Sequence, residues 1–286
     1  MIDSHVHLWD LSSRPQPWID PGSMGVILRD HDVSELEDEL DGAGVEGAVL
    51  VQVLNDDDET ADYLELASRS ERLVGVVGWV DLAAEDVGDR LDRLRAFPGA
   101  HLAGIRHQAQ AEADPAAWLR RFGEGPGPVA LTSRSLACDL MMRPEQLATT
   151  YDVARAHDGL VVVLDHAGKP PVSRGWGSAP AGTWAGLVAR LGELPNVACK
   201  LSGLTTMADV RHWTVEELRP FVDHLLACFG PARLLFGSDW PVSRRAGDYA
   251  RTVAAARELV GALTAEERDL VLGGTARRVY RLPDPA

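Results

Sequence analysis

The sequence predicts a (β/α)8 barrel, in which eight parallel strands alternate with helices. Three observations support this: short apolar segments alternate with amphipathic ones, most of the apolar segments lack polar alternation, and no linker interrupts the series. Strands without alternation are typical of parallel sheets, whose two faces are both covered. We therefore expect a single α/β domain over residues 1–286, a TIM barrel, regular or distorted, with additional C-terminal helices.

The predicted elements follow one another in strand–helix order. Apolar segments indicate strands at 2–6, 47–53, 73–79, 102–106, 137–141, 160–165, 196–201 and 233–237. Helical periodicity and capping residues indicate helices at 33–42, 59–70, 84–96, 115–122, 144–157, 183–191, 214–229, 248–263, 265–272 and 275–280. We expect Ser34 and Thr214 to cap their helices and Pro144 to begin its own. The stretch 129–136 stays open between helix and loop.

Two alternatives concern the fold and its longest loop. Residues 8–32 contain Trp9 and Trp18, which either close the end of the barrel or contact a substrate. A doubly wound parallel sheet is the alternative fold. Its dinucleotide-binding form is disfavoured because no Gly-x-Gly-x-x-Gly motif follows the first strand.

Composition restricts the class of protein. The formal net charge is −15, from 28 basic and 43 acidic residues, which argues against a nucleic-acid partner. The three cysteines are widely spaced and include no Cys-x-x-Cys, which favours a reducing, cytoplasmic location. We see no signal peptide, and the longest aliphatic run, 160–164, is too short to span a membrane. We expect a small-molecule substrate, with a homodimer as the common default.

Polar side chains accumulate where the predicted strands end. The first strand ends in His5 and His7, and the strand period of two places them on the same face. Later strand ends carry Arg106, His107, Asp165, His166, Lys200 and Asp239. Each one alone has a structural explanation, such as a hydrogen-bonded core histidine or a turn-forming aspartate. Because barrel enzymes place their active groups at these ends, the combination predicts one shared pocket.

These strand-end motifs resemble those of the amidohydrolase superfamily. The motifs are His5-x-His7, Gly104-Ile105-Arg106-His107, Leu164-Asp165-His166-Ala167-Gly168-Lys169-Pro170, Lys200-Leu201-Ser202-Gly203-Leu204 and Phe236-Gly237-Ser238-Asp239-Trp240-Pro241-Val242. More narrowly, the chain is similar to the amidohydrolase-2 branch, which includes L-fuconolactonase-like and L-rhamnonolactonase-like enzymes and 2-pyrone-4,6-dicarboxylate lactonase. The resemblance extends from residue 2 to residue 242.

The resemblance implies a hydrolase that opens a small, sugar-derived lactone to a hydroxy acid. Asp239 would act as general base toward the attacking water, a role that suits a buried carboxylate with a raised pKa. His5, His7 and His166 would surround the carbonyl oxygen and stabilise the oxyanion. Substrate contacts are expected from Arg106, His107 and Trp79, whereas Lys169 and Lys200 are not expected to act directly.

The resemblance leaves the cofactor open between one divalent metal, such as zinc, and none. Superfamily members with metal usually add a carboxylated lysine or a histidine from the middle strands. The fifth strand here offers Cys138, Asp139 and Met141 but no lysine or histidine, so the resemblance does not imply a two-metal site. A single ion would use His5, His7 and Asp239, with His166 or Asp139 completing its coordination.

Two other functions remain open at this point. One is a metal-dependent decarboxylase or amide hydrolase on the same barrel. The other is a non-catalytic barrel that only binds a small acid.

Overall fold

A computed structural model describes residues 1–283 and contains one eight-stranded sheet. The strands are β1 (Ile2–Val6), β2 (Gly47–Val51), β3 (Leu73–Gly78), β4 (Leu102–His107), β5 (Ala137–Leu140), β6 (Val162–Leu164), β7 (Val197–Leu201) and β8 (Leu234–Phe236). Neighbours in sequence are neighbours in the sheet, and every neighbouring pair is parallel. This order confirms the predicted (β/α)8 barrel and excludes the doubly wound alternative.

Helices cover the outside of the barrel. They are α1 (Pro21–Met24), α2 (Val33–Ala43), α3 (Asp57–Ala67), α4 (Val87–Arg95), α5 (Pro115–Glu124), α6 (Gly127–Arg134), α7 (Leu147–Ala156), α8 (Ala179–Gly192), α9 (Leu204–Met207), α10 (Val215–Phe229), α11 (Tyr249–Leu259), α12 (Ala265–Asp269) and α13 (Thr275–Tyr280). Thr214 caps α10 in a reciprocal capping box with Glu217, as predicted. None of the helices in residues 1–283 combines the length and the apolar character that crossing a bilayer requires.

Several predicted element ends were wrong by a few residues. Ser34 is not the cap of α2, because the Asp32 side chain accepts the backbone N–H of Glu35. Ser178 caps α8, which therefore begins four residues earlier than predicted. β6 ends at Leu164, before Asp165. The stretch 129–136, left open between helix and loop, contributes to α6. The predicted helix 265–272 stops at Asp269, and a π turn follows it.

The barrel interior has an apolar end and a polar end. On β5 and β7, Ala137 and Ala198 pack inside with Val163, and α13 covers this end with Tyr280. Two residues further along each strand, on the same face, stand Asp139 and Lys200. The polar half of the interior therefore lies toward the C-terminal ends of the strands.

The barrel is closed between its first strand and the segment after its last. His7 N–H donates to Trp240 O (2.7 Å), and Asp239 N–H donates to His5 O (2.9 Å). Asp3 reinforces the closure, because its Oδ1 accepts the backbone N–H of Ser238 at 2.9 Å. Since these bonds join the two ends of the sheet, they bring Asp239 beside the two histidines.

Candidate active site

The two histidines at the end of β1 face each other inside the barrel mouth. Their Nε2 atoms lie 3.2 Å apart, and the rings stand nearly perpendicular, at 87°. His7 Nδ1 lies 2.7 Å from Val51 O, so this nitrogen carries the proton and Nε2 keeps its lone pair. Burial lowers the pKa of both rings below the ordinary value of 6.5. Neutral imidazoles with a free nitrogen can accept a proton or bind a metal.

Asp239 completes this group from the other end of the chain. Its backbone is left-handed (φ 62°), and its Oδ1 lies 3.5 Å from His7 Nε2 and 3.8 Å from His5 Nε2. The pKa of this carboxylate is not raised, although a raised pKa would favour the role of general base. Burial would raise the pKa of Asp239, but the His166 and His7 rings and the Arg106 guanidinium together lower it below 3.8. The carboxylate is therefore ionised at neutral pH.

A left-handed turn after β6 presents His166 and Lys169. Four consecutive residues have positive φ, between 50° and 65°: His166, Ala167, Gly168 and Lys169. Only glycine adopts this conformation without strain, so the turn is an unfavourable backbone arrangement of the kind found at functional sites. His166 Nδ1 lies 2.9 Å from Ser202 Oγ, its ring centroid lies 4.6 Å from that of His5, and burial lowers its pKa to about 4.

These groups line a cavity of about 350 Å³ at the barrel mouth. His7, Asp239, Arg106 and His166 lie on its wall, as do further residues that were not expected there, among them Lys169, Gln108, Gln110 and Arg245. Trp18 also lines the cavity, whereas Trp9 packs in an apolar cluster with Ile19 and Ile27. The volume lies in the lower part of the range for small-molecule sites, about 300–1,000 Å³.

The structure does not bring Trp79 and His107 to this cavity. Trp79 Nε1 donates to His107 Nδ1 (3.1 Å), and His107 Nε2 lies 2.9 Å from Glu112 Oε1. The His107 ring stacks on Trp118 with centroids 3.6 Å apart. Both nitrogens of His107 are therefore engaged within the barrel wall.

Beneath the cavity lies a buried ionic cluster, formed by Asp139, Asp165, Lys200, Arg106 and Tyr280. Lys200 Nζ lies 2.5 Å from Asp139 Oδ2 and 3.0 Å from Asp165 Oδ1. Arg106 Nη1 lies 3.3 Å from Asp165 Oδ2, and Tyr280 donates to Asp139 Oδ2 at 2.6 Å. Lys200 Nζ also lies 3.0 Å from His5 Nδ1, so the cluster supports the first histidine from below.

Three donors fit a single tetrahedral metal ion. Zinc bonds of about 2.0–2.1 Å at tetrahedral angles place donor atoms about 3.3 Å apart. His5 Nε2, His7 Nε2 and Asp239 Oδ1 are separated by 3.2, 3.5 and 3.8 Å. The bond from His7 Nδ1 to Val51 O fixes the tautomer that a metal requires at Nε2. His5, His7 and Asp239 are therefore the residues that would hold one divalent ion, for which His5 would carry its proton at Nδ1, 3.5 Å from Asp165 Oδ1, and present Nε2.

The two donors expected to complete the coordination differ in their surroundings. Asp139 is bound by Lys200 and Tyr280. His166 forms a second group of possible ligands with His5 and Asp165. Because Lys200 Nζ lies 3.0 Å from both His5 Nδ1 and Asp165 Oδ1, that group already contains a cation. A second metal ion is thus opposed by charge.

Sequence reasoning missed Lys169, although one observation could have found it. Only two of the 28 basic residues in the chain are lysines, Lys169 and Lys200. One lines the cavity and the other is fully buried beneath it. Arginine serves at all other basic positions, and this contrast is visible in the sequence alone.

The comparisons with known proteins agree with this geometry. The family model described as "Amidohydrolase" matches residues 2–282. An L-fucono-1,5-lactonase from Burkholderia multivorans is 37% identical over 100% of this chain and 97% of the relative. An L-fucono-1,5-lactonase from Burkholderia ambifaria is 36% identical over the same shares of the two chains.

A solved amidohydrolase structure from Burkholderia multivorans, with bound zinc, is 36% identical and superposes with a TM-score of 0.91 over 99% of each chain. Zinc in this relative agrees with the metal-bound alternative for the donors His5, His7 and Asp239. Together, the matched model and the full-length relatives confirm the resemblance seen in the motifs. The chain belongs to the amidohydrolase family.

Proposed function

We propose that this amidohydrolase opens a sugar-derived 1,5-lactone of the L-fucono-1,5-lactone type to the corresponding hydroxy acid. The observation that carries the proposal is the position of the Asp239 carboxylate, whose Oδ1 lies within 3.8 Å of two imidazoles at the cavity in the barrel mouth. Ester hydrolysis by water requires a general base next to polar groups that bind the substrate carbonyl. The names of the two full-length relatives support the substrate class.

The cavity suits a six-membered sugar ring. Its volume of about 350 Å³ accommodates a monosaccharide-sized ligand but leaves little room for a larger one. Gln108, Gln110 and Arg245 offer amide and guanidinium groups to ring hydroxyls, and Trp18 offers an apolar face. These side chains come from three separate loops, so they support specificity as well as binding.

In the proposed mechanism, Asp239 takes a proton from a water molecule as that water attacks the lactone carbonyl carbon. Charge then develops on the carbonyl oxygen. Arg106 and the imidazole of His166 line the same cavity and can donate to this oxyanion. His7 presents a lone pair at Nε2, so it would act there as a proton acceptor or as a ligand of a bound ion. Collapse of the tetrahedral intermediate breaks the bond between the carbonyl carbon and the ring oxygen, giving a carboxylic acid and a free hydroxyl.

A divalent ion held by His5, His7 and Asp239 would polarise the carbonyl oxygen or acidify the attacking water. The protein groups already supply a base and positive donors, which is consistent with catalysis of a reactive ester. Arg106 Nη1 stands only 3.3 Å from His5 Nε2. This guanidinium therefore weakens the affinity of the three donors for a cation.

Charge and cysteine chemistry support a small-molecule substrate in a reducing, cytoplasmic setting. The net charge of −15 disfavours nucleic acid. Cys138, Cys199 and Cys228 are free thiols, which is usual where disulfides do not form.

The test is a panel of lactones given to the purified protein, with ring opening followed by acid release and by NMR. It should include L-fucono-1,5-lactone, its 1,4 isomer, δ-valerolactone and one aromatic carboxylic acid that can lose CO2. We expect the sugar 1,5-lactone to be opened fastest. Release of CO2, or no ring opening above the spontaneous rate, would exclude the proposed function.

A further inference from the structure

The geometry points to Lys169 as a second catalytic residue, which donates the proton that the ring oxygen needs as it leaves. This inference rests on the proposed lactone hydrolysis and assigns a proton donor separate from Asp239. It concerns a residue that the motifs alone did not indicate as a direct participant.

The first argument is placement. Lys169 is the last of the four left-handed residues after β6, and its side chain lines the same cavity as Asp239. Three of those four residues are not glycines, so the backbone is held in an unfavourable conformation. A strained turn is retained when the surrounding structure fixes the side chains that it presents. Here it presents His166 and Lys169.

The second argument is the choice of residue. Arginine occupies 26 of the 28 basic positions, and the cavity itself contains Arg106 and Arg245. If the cavity needed only another positive charge at position 169, arginine would serve equally well. Lysine differs because its ammonium group can give up a proton, whereas a guanidinium cannot.

The third argument is the surroundings of the ammonium group. Lys169 Nζ donates to Gln110 Oε1 at 2.5 Å, which anchors the group while leaving two N–H bonds. Burial lowers the pKa of Lys169 to about 8. An ammonium group that is more acidic than an exposed one is a better proton donor at neutral pH.

The proton balance closes without any further reactant. Asp239 takes one proton from the attacking water. As the bond between the carbonyl carbon and the ring oxygen breaks, Lys169 gives a proton to that oxygen, which becomes the free hydroxyl. The new carboxylic acid returns a proton to Lys169 and leaves as the carboxylate. Asp239 releases its proton to solvent, so the net products are the hydroxycarboxylate and one proton.

The discriminating experiment compares two six-membered lactones in the same variant. δ-Valerolactone expels an alkoxide, whose conjugate acid is about as weak an acid as water and has a pKa far above neutral pH. Dihydrocoumarin expels a phenolate, whose conjugate acid has a pKa of about 10, as for tyrosine. Only the alkoxide needs a proton donor in order to leave. The matched variants are Lys169→Met, which lacks the amine, and Lys169→Arg, which keeps the charge.

For both variants we expect kcat/KM to fall about 100-fold or more on δ-valerolactone and less than about fivefold on dihydrocoumarin. Because both rates come from one preparation, a loss of folded protein cancels in their ratio. Equal losses on the two substrates, or full activity of Lys169→Arg on δ-valerolactone, would overturn the inference. If the wild type opens no lactone at all, the proposed function fails first, and the inference falls with it.

Chemical rescue provides an independent measurement on the sugar lactone itself. We expect methylammonium to restore activity to Lys169→Ala in a concentration-dependent way. Tetramethylammonium carries the same charge but no transferable proton, so it should not restore activity. Equal rescue by the two ions, or rescue by neither, would contradict proton donation by Lys169.

Discussion

The cavity wall and the ionic cluster beneath it contain the same kinds of side chain in two different states. In the cluster, Lys200 and Arg106 neutralise Asp165, so its pKa falls well below 3.8 although burial opposes ionisation. At the wall, Asp239 is also ionised, but its neighbours His5 and His7 are neutral rings. The His5 and His7 rings therefore hold the Asp239 carboxylate in position, but they do not neutralise its negative charge.

We infer from this difference that the charges of the ionic cluster stabilise the fold, whereas the charge of Asp239 takes part in the reaction. Removing one member of the ionic cluster leaves an oppositely charged partner unpaired in a low-dielectric interior, so the effect is on folding. Removing a group that faces the cavity leaves few unpaired partners, so the effect is on catalysis. The predictions below test that separation.

Asp239→Asn should have the largest effect on activity. The amide keeps the shape of the side chain but cannot take a proton from water, so we expect kcat/KM on the sugar lactone to fall about 10³–10⁴-fold. The midpoint of urea unfolding should change little. A variant with more than one tenth of wild-type activity would show that another group is the base.

Lys200→Met should have the largest effect on stability. It leaves Asp139 and Asp165 without their shared cation, so we expect the free energy of unfolding to fall by about 3–5 kcal/mol. Lys169→Met is the matched control. The Lys169 ammonium binds the neutral amide of Gln110, so its removal leaves no buried charge unpaired. Urea denaturation of both variants measures the difference, and equal losses would remove the distinction between cluster and wall.

Asp3→Asn should change how stability depends on pH. Burial raises the pKa of Asp3 from 3.8 to about 6, so the folded protein binds this proton more tightly than the unfolded chain. Its contribution is complete below about pH 4 and is lost as the pH rises through 6. Relative to Asp3→Asn, the wild type should lose up to about 3 kcal/mol between pH 4 and pH 7.

The control for this comparison is Asp223→Asn, which removes an exposed carboxylate. Denaturation of the three proteins at a series of pH values provides the measurement. Parallel pH profiles for the wild type and Asp3→Asn would show that folding does not change the pKa of Asp3, and would contradict this prediction.

His7→Asn should weaken metal binding without affecting the ionic cluster. We expect the wild type to bind at most one zinc ion per chain after equilibrium dialysis. The variant should bind it at least about 10–100-fold more weakly. His31→Asn, which alters a buried histidine outside the donor group, is the control. Two zinc ions per chain would contradict the account of Lys200 as the cation of the second group.

Trp79→Phe should have the smallest effect. The ring points to His107 within the barrel wall, so we expect kcat/KM to change by no more than about twofold, equivalent to about 0.4 kcal/mol. A much larger fall in kcat/KM on the lactone substrates would indicate that Trp79 contacts the substrate, as the sequence predicted.

The barrel and the meeting of its ends could be predicted because both follow from local patterns. Apolar runs of strand length locate the sheet, and the period of two places His5 and His7 on one face. The topology then brings Asp239 beside them, since β8 adjoins β1 in a closed barrel. The proximity of Asp239 to His5 and His7 therefore follows from the order of the strands, although no single segment indicates it.

Other features depend on side-chain directions that a sequence does not specify. His107 and Trp79 stand at strand ends, as predicted, yet they turn into the wall, where Trp118 stacks on the imidazole. Lys169 reaches the cavity through a run of left-handed residues, and only one of them is glycine. The lowered pKa of Asp239 depends on three cationic or hydrogen-bonding neighbours from separate elements.

Ring opening of L-fucono-1,5-lactone in ¹⁸O-labelled water tests the central claim most directly. If Asp239 activates water at the carbonyl carbon, the wild type should accelerate ring opening and place the label in the carboxylate of the product, whereas Asp239→Asn should not exceed the spontaneous rate. Label in the hydroxyl group, or equal rates with and without the wild-type protein, would contradict the account.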